Sequence, residues 1–305
     1  MVRTQNAEGA PIALFAYKRP HHVERLITSL NANELFVRSR VFVFCDGHKG
    51  PEDRDPVAQT RAVVRRLLGP TAEIIERESN AGLARSIITG VTELCRVYGR
   101  AIVLEDDLVL HPDCLAFMNA ALRRYEDEKR IFHVNAYRYP IPEGSAPTFS
   151  RLASSWGWAT WQRAWSAFEP NAHQLQRAIR AAGLIAAMDF GGGFPYYRML
   201  QDQAAGKIDS WAIRWYASVL LRGGLAVCPN VSQVLNRGFD NSGVHCGVTS
   251  SFDVKVGSAS QDWPAQIAED QDECREMQLF FRRMRGTIPL RAAKRLKRLL
   301  SPNRR

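Results

Sequence analysis

From Ala10 to about Pro112 the chain alternates short apolar runs with longer stretches whose apolar positions recur every three or four residues. The short runs suit buried strands and the longer ones amphipathic helices, so the pattern predicts βα units and an α/β fold with a mostly parallel central sheet flanked by helices. Strands are expected in PIALFAY (11–17), RVFVFCDG (40–47), AEIIERE (72–78) and RAIVLEDDL (100–108). Helices are expected in KRPHHVERLITSLNA (18–32), DPVAQTRAVVRRLLG (55–69), LARSIITGVTELCRVYG (83–99) and HPDCLAFMNAALRRYEDE (111–128). Ligand sites of open α/β sheets gather at the carboxyl ends of the strands. Here those ends bring Lys18 and Arg19, Asp46, Asn80, and the run Glu105, Asp106 and Asp107, a polar convergence suited to a nucleotide-type pocket.

Beyond Pro112 the pattern changes. Aromatic residues crowd SSWGWATWQRAWSAF (154–168), where Trp158, Trp161 and Trp165 stand at helical spacing and predict a helix entered at Trp156 and Gly157. DSWAIRWYASVLLRGG (209–224) also reads as helical, AVCPNVSQV (226–234) as a strand, and NRGFDNSGVHCG (236–247) as a loop rich in Gly and Asn. No repeat or linker interrupts residues 10–265, so one domain over 1–265 is expected, followed by a helical basic tail over 266–305.

At 46% apolar and 24% charged residues, the composition is that of a globular protein. The longest apolar stretches fall far short of the roughly 20 residues a membrane-spanning helix needs. The first ten residues lack the apolar core of a secretory signal, so a cytoplasmic location is expected. Six cysteines without CxxC pairing point to buried free thiols in preference to a disulfide frame or a zinc site. The net charge of +10 is confined to the end of the chain. From Arg282 onward there are ten basic residues and no acid, leaving 31 basic against 31 acidic residues in the rest. Leu290, Ala293, Leu296, Leu299 and Leu300 recur there at helical spacing, which makes a basic amphipathic helix able to lie on an anionic membrane surface or to dock on the body. No basic stripe or aromatic platform elsewhere suits a nucleic-acid groove, so nucleic acid is not expected as a partner.

Three consecutive acids at a strand end repel one another and raise each other's pKa. A divalent cation removes that cost, and Mg²⁺ or Mn²⁺ is commonly held by one or two carboxylates with phosphates and water completing the shell. Asp113 is read differently, as an acid at the start of the following helix. Glu105, Asp106 and Asp107 precede Leu108, Val109 and Leu110 and lie too early to serve as caps.

The run ValLeuGluAspAspLeu after a strand, with Pro112 and Asp113 beyond it, resembles the EDD form of the DxD motif. The chain thereby resembles the GT-A glycosyltransferases, whose fold is that of Rossmann-like nucleotide-diphospho-sugar transferases, and among them the N-acetylglucosaminyltransferase I type and bacterial family 2-like sugar transferases. The resemblance spans roughly residues 10–250 and includes Arg19, the AspGly at 46 and 47, the GlyTrp at 157 and 158, an acid just before Trp211 and a Gly-rich segment ending in His245. It implies that Asp107 binds the metal, Mn²⁺ or Mg²⁺, and that Asp106, with Glu105 beside it, lies against the ribose or sugar. It further implies that Asp46 accepts a hydrogen bond from the base, that Arg19 and Arg85 contact the donor, and that Asn80 lines its pocket. Ser242 and His245 would close over the donor. The catalytic base is expected at Asp209, with Asp202 and Asp189 as substitutes, because one acid of the family's pair before the Trp is absent. An inverting transfer follows from such a base. The partners implied are a nucleotide-sugar donor, most simply a UDP-sugar, and a glycan or lipid-linked acceptor hydroxyl, in bacterial surface polysaccharide assembly. The basic tail would place the protein peripherally on the inner face of the membrane. The alternatives are a catalytically inactive nucleotide- or glycan-binding module and a sugar nucleotidyltransferase; the lack of a Gly-rich basic loop after the first strand counts against the second.

Other residues are read more plainly. Trp158, Trp161 and Trp165 are expected in the core, while Trp156 and Gly157 are candidates for a sugar pocket. His21 and His22 open a helix and are expected at the surface, and His111 and His133 lack ligand spacing. Cys246 beside His245 has no partner that would make it a nucleophile. The glycines at 191–193 lack the Lys and Ser or Thr of a P-loop and are read as a flexible active-site loop.

Overall fold

The computed structural model describes residues 9–240 and 249–285. The first half follows the predicted alternation: β1 (Ile12–Ala16), α1 (Pro20–Asn31), β2 (Val41–Cys45), α2 (Arg54–Leu68), β3 (Ala72–Glu76), α3 (Leu83–Tyr98) and β4 (Arg100–Glu105). β1 is buried along its whole length, as a central parallel strand covered on both faces must be, which is why it reads as an unbroken apolar run. It pairs in parallel with β2 (Ile12 beside Val41) and with β4 (Ile12 beside Ile102). α1 turns Val23, Leu26, Ile27 and Leu30, one stripe of an amphipathic helix, into the same core. α3 approaches closely because of Gly90: a methyl group there would lie 2.9–3.0 Å from the rings of Phe44 and Phe15, which stack at 4.9 Å.

The second half comprises β5 (Leu108–Leu110), α4 (Cys114–Arg124), β6 (Ile131–Asn135), β7 (Thr148–Ser150), β8 (Trp158–Trp161), α5 (Gln162–Trp165), α6 (Ala172–Ala181), α7 (Ile185–Met188), α8 (Tyr196–Ala204), α9 (Trp211–Leu221), β9 (Leu225–Cys228), β10 (Val234–Asn236) and α10 (Gln271–Arg285). The eight-stranded sheet runs in the order β3-β2-β1-β4-β8-β6-β9-β7. β8 is antiparallel to both β4 and β6, so β6 and its parallel neighbour β9 run in the same direction as β4. β7 closes the edge in the antiparallel sense. The order reverses between β1 and β4, so the crevice beyond their carboxyl ends is the switch point at which open α/β sheets bind ligands.

One expectation is corrected. Residues 158–161 form a strand, not the first turn of a helix, so Trp156 and Gly157 stand at the entrance of β8, and only Gln162–Trp165 are helical. β8 is buried at all four positions between β4 and β6, Thr160 included, and a short run buried on both faces has no period by which to tell strand from helix. The chain beyond 265 contributes one further helix. α10 buries Met277, Phe280 and Phe281 in the same core as α6, α8 and α9, and Glu273 forms a buried ion pair with Arg138 at 2.8 Å. Through Arg285 the basic segment is therefore packed on the body. The leucine stripe from Leu290 to Leu300 lies outside the described residues.

Candidate functional site at the switch point

Arg19 follows β1 and occupies the N-cap position of α1, with Pro20 in the first turn, where its missing N–H costs nothing. From there its guanidinium crosses the switch point to the end of β4. Nε and Nη2 both donate to Asp106, and Nη2 also donates to Asp107 Oδ2 at 3.2 Å. The three expected residues Arg19, Asp106 and Asp107 thus form one cluster. Asp106 is buried, and burial raises its pKa against the opposing pull of Arg19. Burial disfavours the charge on Arg19 too, but the Asp106 and Asp107 carboxylates outweigh it and hold its pKa above the ordinary value. Glu105 is raised furthest, first by burial and then by its two acidic neighbours. Arg19, and after it Trp211 at the start of α9, pull it the other way.

A second strand end is built around Asp46. Its Oδ1 accepts from Gly47 N (3.0 Å) and Ala81 N (2.9 Å), and its Oδ2 from Gly82 N (2.9 Å). The carboxylate expected to read a base is therefore also the clamp that holds the β3–α3 turn against the end of β2. Asn80 belongs to the same clamp, donating to Gly47 O at 2.9 Å. The approach is so close that a methyl group on Gly47 would lie 2.4–2.7 Å from the Ser79 backbone. Arg85, in the first turn of α3, is exposed. Nearby, Asp53 accepts from Tyr17 Oη (2.5 Å) and Lys18 Nζ (2.6 Å); burial and Asp53 push the Tyr17 phenol up to about 12, and the two hydrogen bonds lower the Asp53 pKa.

The remaining wall comes from the segment after β10. The antiparallel pairing of β10 with β5 sets Asn236 beside Leu108, and Arg237 N then donates to the Asp107 carbonyl at 2.8 Å. Gly238 packs on the Asp107 carboxylate: a methyl group there would lie 2.3 Å from Oδ2. Asp240 meets His22 Nε2 at 2.9 Å. His22 was expected at the surface, but its side chain is only 7% exposed and forms part of this wall. Between these residues Phe239 stacks on Phe252 (5.1 Å), and both meet Trp156 edge-on. Trp156 is half-buried, and Gly157 holds a left-handed φ of 68° at the turn into β8. Ser242, His245 and Cys246 lie outside the described residues.

The candidate bases are placed apart. Asp209 is 67% exposed and paired with Arg214 at 3.0 Å, just before Ser210, whose hydroxyl caps α9. Asp202 pairs with Arg198 and Lys207 on α8. Asp189 accepts from Tyr197 N at 2.7 Å at the start of α8, with its pKa raised by burial. The glycines at 191–193 make a turn pinned by α10, with Gln278 and Arg282 donating to Gly191 O and Arg285 to Gly192 O. Tyr17, Asp53, Gly238 and Asp240 were not singled out from sequence, and His22 was read as a surface residue. Tyr17 was within reach of the strand-end rule; the others come together only through pairings distant in the chain.

Among the described residues no three His, Cys, Asp or Glu side chains could cage a metal ion on their own. The hard oxygens of Asp107 and Asp106 fit Mn²⁺ or Mg²⁺ only in the arrangement where phosphates and water complete the shell.

No family model matches the chain, and no curated protein matches it. Several solved structures are similar. A mannosyltransferase from Pyrobaculum calidifontis in complex with GDP-Man and Mn²⁺ aligns at 12% identity over 68% of this chain and 73% of its own, with a TM-score of 0.35. Mouse xyloside xylosyltransferase 1 in the apo form aligns at 11% identity, over 69% and 80%, at 0.34. The galactosyltransferase LgtC in complex with donor and acceptor sugar analogs aligns at 10%, over 70% and 71%, at 0.37. At such identities and scores the likeness assigns no role to any residue.

Proposed function

We propose that the protein is a metal-dependent glycosyltransferase of GT-A fold that moves a sugar from a nucleotide-sugar donor to an acceptor hydroxyl. The observation that supports this reading most is the cluster of Arg19, Asp106 and Asp107 at the switch point of a mostly parallel sheet, beside the clamp formed by Asp46 and Asn80. A nucleoside diphosphate fits that crevice with its base toward the ends of β2 and β3 and its diphosphate toward Arg19 and Asp107. Mn²⁺ or Mg²⁺, bound through Asp107, would supply neutralisation of the charge that develops on the leaving diphosphate. Arg19 and Arg85 would bind the donor's anionic part. Trp156 and Phe239 would offer apolar faces to a sugar ring, and the wall from Asn236 to Asp240 would exclude water. Asp209 is the proposed base: its exposed carboxylate, beyond Trp211, would take the proton of an acceptor hydroxyl attacking from the open side, which gives inversion.

The finer reading is a UDP-sugar donor and a glycan or lipid-linked acceptor in bacterial surface polysaccharide assembly. It draws on the basic residues after Arg282 as a contact for an anionic membrane face. No helix among the described residues is long and apolar enough to cross a membrane. The test is turnover: release of nucleoside diphosphate from a panel of nucleotide sugars with a mixture of glycan acceptors, with Mn²⁺ and with EDTA, for the wild type and Asp209→Asn. Metal-dependent release that falls about 100-fold or more in Asp209→Asn supports both reaction and base. Nucleotide binding without release from any donor would favour an inactive binding module.

A further inference from the structure

The contacts of Arg19 lead to an inference that rests on this metal and nucleotide reading and deepens it. The guanidinium is only 17% exposed and bridges two carboxylates. On Asp107 it engages Oδ2, the oxygen against which Gly238 packs. The Gly238 backbone is held there by the bond from Arg237 N to the Asp107 carbonyl. Asp107 Oδ2 is thus enclosed by a cation on one side and by backbone on another, and a divalent ion that takes this oxygen must compete with Arg19 for it.

We propose that Arg19 is the built-in counter-cation of the Asp106 and Asp107 pair, and that it changes partner during loading, leaving Asp107 for the donor diphosphate as the metal takes the carboxylate. The charges account for why the two ligands would enter together. With Arg19 in place the pair is already half neutralised, so a dication alone gains little and expels a guanidinium that has no new partner. When a diphosphate arrives with the ion, both the ion and the guanidinium find oxygens, and the planar fork suited to a carboxylate pair suits a diphosphate equally. Arg19 is therefore a positioning residue that couples metal affinity to nucleotide affinity, and the coupling is reciprocal.

The experiment measures free Mn²⁺ by electron paramagnetic resonance as the ion is titrated into wild type, Arg19→Gln, Arg19→Lys and Arg96→Gln, first alone and then with UDP. Melting curves and circular dichroism establish that each variant is folded. Arg19→Gln is expected to bind Mn²⁺ alone about tenfold more tightly than the wild type and UDP in the presence of Mn²⁺ about tenfold more weakly. Arg96→Gln, which removes an equal charge at an exposed position in the last turn of α3, should change Mn²⁺ binding less than about twofold. If Arg19→Gln does not fold, Arg19→Lys decides: the ammonium has no counterpart of the Nε–H donated to Asp106 and holds the carboxylate pair less firmly, and about threefold tighter binding of Mn²⁺ alone is expected. Unchanged or weaker Mn²⁺ binding in the Arg19 variants would overturn the proposal, leaving Arg19 as an organiser of the carboxylates. Tightening matched by Arg96→Gln would overturn it also, as an unspecific effect of charge. Failure of the wild type to bind UDP with Mn²⁺ is a separate result, which removes the transferase reading while the titration with Mn²⁺ alone still reads the counter-cation.

Discussion

The two halves of the sheet solve the same packing problem in opposite ways. β1 to β4 bury an aliphatic layer of Ile12, Leu14, Val43, Ile102 and Val103, and their charges stay at the carboxyl rim. The half around β8, β6 and α9 buries an aromatic ladder in which Trp158 stacks on Trp211 (5.0 Å) and on His133 (5.1 Å), while Trp165 meets Trp215 (4.9 Å). Aromatic rings carry polar handles into the core, and each handle needs a partner. Trp161 donates to Leu122 O (3.0 Å), Trp165 to Thr92 Oγ1 (2.8 Å) and Trp215 to His133 Nδ1 (3.0 Å). Because Nδ1 accepts, His133 is the neutral tautomer that donates from Nε2 to Ser154 O at 3.0 Å. Trp158, whose indole N–H is buried without a partner, is the exception. The aliphatic half is thus a platform that displays charge at its rim, and the aromatic half keeps its polar groups inside and pairs most of them with one another or with nearby backbone.

This contrast can be broken at four places. Trp158→Ala should cost about 4 kcal/mol in denaturant unfolding, against about 1 kcal/mol for Ile102→Val across the strand boundary; equal losses would erase the distinction between the halves. Glu273→Gln leaves Arg138 buried and unpaired beneath α10, and about 3 kcal/mol should be lost by the same measurement. Asp46→Ala leaves the amides of Gly47, Ala81 and Gly82 without their acceptor, at about 2.5 kcal/mol. Calorimetry on the same variant should show nucleotide affinity lowered at least about tenfold, since the rim loses its shape.

The fourth is a pH effect from the aromatic half. Burial lowers the His133 pKa to about 3, below the unfolded value of about 6.5. The unfolded chain then takes up a proton that the native state refuses, so this contribution is intact above about pH 6.5 and is lost as pH falls from there toward the native value. Between pH 7 and pH 5 the loss is about 2 kcal/mol. In His133→Gln that part of the pH dependence should vanish from unfolding curves recorded at the two pH values.

The same contrast explains what could be read from the chain. The βα alternation of the first half leaves a local mark: each strand is an apolar run bounded by turns and followed by an amphipathic helix, which suffices to place β1 to β4 in one parallel sheet even though β1 and β4 pair across 90 residues (Ile12 beside Ile102), and with them Arg19, Asp46, Asn80 and the EDD run at one rim. The aromatic half carries no such mark. β8 pairs with β4 and β6 across some 25 to 60 residues, and full burial removes the alternation that would have marked it as a strand. The wall over Asp107 depends on β10 pairing back to β5, so neither Gly238 against the carboxylate nor the pairing of His22 with Asp240 leaves a trace in local pattern. Asp46 was legible as a polar strand end, but its work as a clamp required the loop that it holds.

The most direct test of the central claim is calorimetric titration of UDP, GDP and dTDP into the wild type and Asp107→Ala, each with and without Mn²⁺. The account predicts binding of at least one nucleotide that requires Mn²⁺ in the wild type and falls by about 100-fold or more in Asp107→Ala. Absence of nucleotide binding in the folded wild type with Mn²⁺ present, or Mn²⁺-dependent binding that survives intact in Asp107→Ala, would contradict it.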